Sequence, residues 1–158
     1  MKTATIKALK EELKHKNSNE LLEVCLQLIR FKKENKELLT YLLFEADDEE
    51  RYILGVKSEI NELFDAINTK SYFFIRKSAR KILTNTKKYI RFSKKKETEV
   101  ELLLHYCIKL KNLKPSIKNS PRLQNILTTQ VKLIEKIVVT LHEDLQYDYH
   151  LELEKLSK

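Results

Sequence analysis

One glycine and two prolines among 158 residues leave this chain almost no means of turning sharply. Hairpin turns need residues at positive φ, or a φ pre-set by proline. A sheet protein of this length would need many more of both. The fold class that follows is all-α. Apolar residues at three- and four-residue spacing mark about seven helices. The first lies near Ile6 to His15. The second starts at Ser18 as its cap and carries Leu21, Leu22, Cys25, Leu28 and Ile29. The third follows Asn35 as an N-cap, with Leu38, Leu39, Leu42 and Leu43.

The fourth helix is expected to begin at Asp47, where Asp47-x-x-Glu50 resembles a capping box. Its stripe is Tyr52, Ile53, Val56, Ile60, Leu63, Phe64 and Ile67. Gly55 within it suggests close helix packing or a slight kink. The fifth helix is expected from Ser71 to Ser93 and the sixth from Glu97 to Asn112. Pro115 falls in the next linker. The seventh opens at Ser120, with Pro121 at the first helical position, where a missing N–H costs nothing. Its stripe runs through Leu145 and weakens around Tyr147 to His150, where a bend or break is expected.

The length suits one domain spanning residues 1–158, and no flexible linker or low-complexity stretch interrupts it. A short self-similarity runs through the chain. Ile29-Arg30-Phe31-Lys32-Lys33 recurs as Ile90-Arg91-Phe92-Ser93-Lys94, and Leu38-Leu39-Thr40-Tyr41 as Leu103-Leu104-His105-Tyr106. If this is a repeat, residues 18–67 and 71–145 form two three-helix units. They would stack as in right-handed, armadillo- or HEAT-like solenoids. The alternatives are an irregular helical bundle and chance similarity in a sequence rich in Lys, Leu and Ile.

No run approaches the roughly 18 apolar residues of a spanning helix. Met1 to Lys16 is charged and amphipathic, unlike a signal peptide. Cys25 and Cys107 both sit in apolar patterns, so both are expected to be buried, reduced and unpaired in a cytoplasmic protein.

Charge is unevenly placed. The chain holds 31 basic and 23 acidic residues. Residues 66–96 contain eleven of the basic ones and no acid, so the remainder of the chain is net negative. At about 100° per residue, Arg76, Lys77, Arg80, Lys81, Lys87, Lys88, Arg91, Lys94 and Lys95 fall within one arc of the fifth helix. Ile75, Ala79, Ile82, Leu83, Tyr89 and Ile90 lie opposite. One face can dock on a core while the other presents a cationic ridge. Such a ridge attracts phosphate backbones, anionic lipid or an acidic protein. The competing reading is a solvated face neutralised within the chain, by Asp47, Asp48, Glu49 and Glu50 or by Glu143, Asp144 and Asp148. Ordinary solvated helices mix signs, however, because Glu–Lys pairs four apart stabilise them.

Catalytic patterns are missing. A phosphate-binding loop cannot be built with one glycine, and there is no Cys-x-x-Cys or His-Glu-x-x-His. Glu12-x-x-His15 has diiron-ligand spacing but lacks its companions. His142, Glu143, Asp144, Asp148 and His150 are the densest potential ligand group. His142 and His150 would lie about 12 Å apart along a continuous helix, so a polar surface is the plainer reading than a metal site. His105 is read as half buried and packed. Tyr72, Phe73 and Phe74 could stack on bases, but at least some of them are expected in the core.

Three segments resemble an uncharacterised bacterial all-helical domain family of unknown function. They are Phe44-Glu45-Ala46-Asp47-Asp48-Glu49-Glu50-Arg51, Arg76-Lys77-Ser78-Ala79-Arg80-Lys81-Ile82-Leu83 and Glu101-Leu102-Leu103-Leu104-His105-Tyr106. The resemblance covers under half the chain, and a proline near the basic segment in that family has no counterpart here. It implies a helical fold and the position of the basic segment, and no activity.

The expectation is a non-enzymatic interaction module without cofactor, metal or catalytic residues. Its cationic helix face would meet an acidic protein partner; the alternative is nucleic acid, contacted through its phosphate backbone.

Overall fold

A computed structural model describes residues 1–157, with side chains through Leu156. Among the described residues every regular element is helical. The chain divides into two compact units, residues 1–44 and 45–158.

The first unit holds α1 (Ile6–Lys14), α2 (Ser18–Phe31) and α3 (Lys33–Thr40), and enters a π-helical turn at Tyr41–Glu45. Local chemistry sets each start. The Thr5 side chain accepts from the Ala8 N–H at α1. Asn17 and Glu20 form a reciprocal capping box at α2, satisfying two N–H groups that the helix leaves open. The cap is therefore Asn17 and not Ser18. Asn35 is not a cap either. It lies inside α3, and its Nδ2 donates to the Leu28 carbonyl at 2.8 Å, tying α3 back to α2. No residue of α1, α2 or α3 is fully buried.

The second unit contains α4 (Glu49–Asp65), α5 (Tyr72–Ser93), α6 (Lys96–Lys111), α7 (Pro121–Val138) and α8 (Glu143–Ser157), with a 3-10 turn at Ile117–Asn119. Asp48, one residue beyond the expected Asp47, caps α4 by accepting from the Arg51 N–H. Ser71, expected as the start of the fifth helix, is its cap. The centre of the unit is α6, which touches α4, α5, α7 and α8. Its Thr98, Val100, Leu102, Leu103, Leu104, Tyr106, Cys107 and Leu110 are all buried. A helix with buried side chains on most of its circumference is one flanked by several others.

The expected seventh helix is two helices. The break falls at residues 139–142, ahead of the expected Tyr147 to His150, which lies inside α8. No proline or glycine causes it. Thr140 Oγ1 donates to the Ile137 carbonyl at 2.7 Å, and Gln146 Nε2 donates to the Leu141 carbonyl at 2.8 Å. Side chains thus satisfy carbonyls that a continuing helix would have used. Gly55 also differs from expectation. A Cβ built on it would meet nothing within 4 Å, so neither close packing nor steric need explains it.

The self-similar segments occupy comparable places, at the ends of α2 and α5 and within the helices that follow. Ile90 is buried and Phe92 half-buried, whereas Phe31 is exposed. The division at residue 44 falls inside the first of the two candidate repeat units.

Candidate interaction surface on helix α5

The apolar side of α5 is anchored to the interior of its unit. Ile75, Ala79, Ile82, Thr86 and Ile90 are buried. Thr86 was not legible as a core residue. It is accommodated because its Oγ1 donates to the Ile82 carbonyl at 2.9 Å, which leaves only its methyl to pack. Leu83 and Tyr89, expected on this side, are half-buried.

Tyrosines fix the rotation of the helix. Tyr106 of α6, fully buried, donates to the Ala79 carbonyl at 3.0 Å. Tyr52 of α4 donates to the Tyr89 carbonyl at 3.0 Å, and Tyr89 in turn donates to the Glu59 carboxylate. Tyr72 at the start of α5 donates to the Ser116 carbonyl at 2.8 Å. Burial pushes the Tyr106 phenol well above its ordinary pKa, so it remains a donor. These bonds come from both flanking helices and leave α5 a single outward face.

That face carries the predicted cations. Lys77, Arg80, Lys81, Lys87 and Arg91 are exposed; Arg76 and Lys88 are half-buried. Arg76 lies over the Phe73 ring, 5.8 Å from its centroid, and Lys88 over Tyr89 at 4.6 Å. Among the described residues, Arg76, Lys77, Arg80, Lys81, Lys87, Arg91 and Lys94 have no acidic partner within salt-bridge distance. Lys94 and Lys95 do not extend the helical row. The helix ends at Ser93, and Lys94 adopts a left-handed conformation at φ 60°, so the 100° count no longer applies to either. Lys94 and Lys95 are exposed on the turn into α6.

Internal neutralisation is seen at the C-terminal end of the row. Glu49, at the start of α4, accepts from Ser93 and from Thr98 Oγ1 and pairs with Lys95 at 3.0 Å. The C-terminal acids contribute nothing to it: Asp144 approaches His142 at 3.5 Å, and Glu143 and Asp148 are exposed without ridge partners. Glu49 was named in the sequence only as one of a group of acids. Its proximity to Lys95 depends on how α4 packs beside the α5–α6 turn.

Phe73 and Phe74 are exposed beside the row, in edge-to-face contact at 5.5 Å. They therefore belong to the surface and not the core.

The other sequence candidates are dispersed. His142 lies in the turn before α8, and His150 is exposed on it. Among the described residues no three metal-ligating side chains come together. His105 is half-buried, with its Nε2 2.9 Å from Asn61 Oδ1. Burial, then Lys57 and Lys109, hold its pKa below the ordinary value. Cys107 is buried and free, its thiol pushed up to about 12 by burial. Cys25 departs from expectation: it is exposed, because the apolar stripe it belongs to is itself uncovered. Among the described residues no helix is long and apolar enough to cross a membrane.

Compared with protein families, with curated proteins and with solved structures, the chain matches none.

Proposed function

We propose that the protein is a non-enzymatic interaction module whose α5 face binds an acidic segment of a partner protein. The observation that carries this reading is the set Arg76, Lys77, Arg80, Lys81, Lys87 and Arg91: cations of one helix side that, among the described residues, have no acidic side chain within salt-bridge distance, on a helix held rigidly by its other side. Three pairs in the row, Arg76/Arg80, Lys77/Lys81 and Lys87/Arg91, are like charges four residues apart. Each such pair disfavours the helix by about 0.2–0.5 kcal/mol. An acidic partner would relieve this repulsion.

The neighbouring Phe73 and Phe74 favour a protein over nucleic acid. Interface centres combine aromatic anchors with arginine. One side of Phe73 is already approached by the Arg76 guanidinium and its edge region by Phe74, which leaves less of the ring free for stacking on a base. Nucleic acid remains the second reading, because an acid-free cationic row also suits a phosphate backbone.

The test is capture of partners by the wild type and by a variant carrying Arg80→Glu, Lys81→Glu, Lys87→Glu and Lys88→Glu, each with and without nuclease. The expected result is a partner that survives nuclease and is lost on reversal. In that variant each of these three pairs becomes an opposite pair, so the fold should be stabilised by about 1–2 kcal/mol at low salt. Loss of binding would therefore not come from unfolding. Capture that disappears with nuclease selects the nucleic-acid reading. A partner that tolerates the reversal removes α5 as the contact surface.

A further inference from the structure

The outward side of α5 is ordered in position as well as in charge. Phe73, Lys77, Arg80, Thr84, Lys87 and Arg91 are all exposed, and they follow one another at alternating four- and three-residue steps. At 100° per residue the six stay within an arc of about 80°. This spacing is the seam along which one helix lies against another. From Phe73 to Arg91 it rises about 27 Å, with no glycine or proline to bend it. One flank repeats every seven residues as Phe74, Lys81 and Lys88; on the other, Leu83 is half-buried and Ile90 buried. Thr84 interrupts the cations. Its Oγ1 donates to the Arg80 carbonyl at 2.9 Å, which leaves only its methyl for contact.

We infer that the partner's acidic segment is an α-helix lying along this seam. It carries an apolar residue opposite Phe73, acids opposite Lys77, Arg80, Lys87 and Arg91, and a small apolar residue opposite Thr84. This rests on the reading of α5 as a surface for an acidic protein segment, and adds the segment's conformation and register. Charge complementarity sets the sign of the occupant, and step length sets its conformation. Seam positions of α5 advance by about 5.4 Å on average, and those of a second helix advance equally. An extended segment presents one side every second residue, about 6.7 Å apart. Over the five steps from Phe73 to Arg91 it runs ahead by roughly 6–7 Å, a full position. It can then match the cations before Thr84 or those after it, but not both. The charged positions are nearly symmetric about Thr84, at seven and four residues before it and three and seven after. Phe73 occurs at one end only, so it sets the direction and register of the partner.

Binding of synthetic peptides to the full-length protein at low salt tests this. The peptides are alanine-rich and about 25 residues long, enough to be helical alone. The first carries leucine, two glutamates, alanine and two glutamates at the six seam positions, in either chain direction. A second has the same composition with its glutamates spread around the helix. A third is the first with a central proline, which breaks the helix. The first, in its better direction, should bind at least about tenfold more tightly than the other two. Thr84→Glu should weaken it about tenfold. Lysine in place of the facing alanine should restore binding, and lysine elsewhere on the peptide's seam should not. Equal binding of all three peptides, lost in the fourfold α5 reversal, overturns the helical partner and leaves the α5 reading standing. A first peptide that binds the reversal variant as well as the wild type overturns both. Selectivity for the first peptide without the Thr84→Glu rescue overturns the register. Failure of every peptide to bind overturns the inference, and the capture experiment then decides the α5 reading by itself.

Discussion

Replacing Glu49 by alanine should destabilise the second unit by about 3 kcal/mol. The Glu49 side chain is only 17% exposed, and it joins three chain segments at the exit of α5. It accepts from Ser93 and from Thr98, and its other oxygen faces Lys95. The Lys95 contribution is small, because that lysine is half-exposed and screened; such pairs are worth about 0–1 kcal/mol. The hydroxyl contacts matter more. Thr98 is fully buried, so removing its acceptor leaves a donor without water, at a cost of about 1–3 kcal/mol. The part-buried Ser93 loses a charge-assisted bond and adds a smaller amount. A sum near 3 kcal/mol corresponds to a fall in melting temperature of roughly 10 °C for a unit of this size. Glu49→Gln retains an acceptor for Thr98 and should cost only about 1 kcal/mol. Urea titration followed by circular dichroism measures both. Equal losses for Ala and Gln would show that charge, not hydroxyl satisfaction, holds this corner. A neutral Glu49→Ala would refute the arrangement altogether.

Three further outcomes are expected. Gly55→Ala should stabilise α4 by about 0.5–1 kcal/mol in thermal melts, since its Cβ meets nothing and glycine loses more backbone freedom on folding. Tyr106→Phe should cost about 1 kcal/mol in urea, the worth of the bond to the Ala79 carbonyl; the ring contact with Phe64, 5.5 Å between centroids, is kept. His105 should make stability fall with acidity. Its folded pKa lies below the ordinary 6.5 through burial, Lys57 and Lys109, against a backbone hydrogen bond at Lys57 and the Glu101 charge. As pH drops through about 6.5 the unfolded chain therefore takes up the proton first. The loss begins there and levels off below the folded pKa, and a His105→Gln variant should lack this component of the pH–stability curve.

How much of this was legible in the sequence varies from element to element. The bounds of α5 and its two faces could be read from Ser71 and from the spacing of Ile75, Ala79, Ile82 and Ile90. Helix period and capping are local, and their signals lie within a few residues of one another. Boundaries such as Asn17 instead of Ser18, or Asp48 instead of Asp47, were ambiguous because neighbouring residues offered equivalent capping oxygens. The break before α8 was misplaced because its cause is a set of side-chain bonds to freed carbonyls, which apolar spacing does not register.

Sequence by itself determined that the chain is helical and that one helix bears the positive excess. These follow from composition and period, which act along the chain. Tertiary structure alone decided which stripes find a cover. Cys25 and Cys107 sit in stripes of the same kind, yet Cys107 is enclosed by four surrounding helices while Cys25 looks outward from a three-helix unit. It likewise decided that Glu49 reaches Lys95 while Glu143 and Asp148 reach no part of the ridge. Burial and pairing depend on which helices become neighbours in space, and a pattern read along one helix does not contain that information.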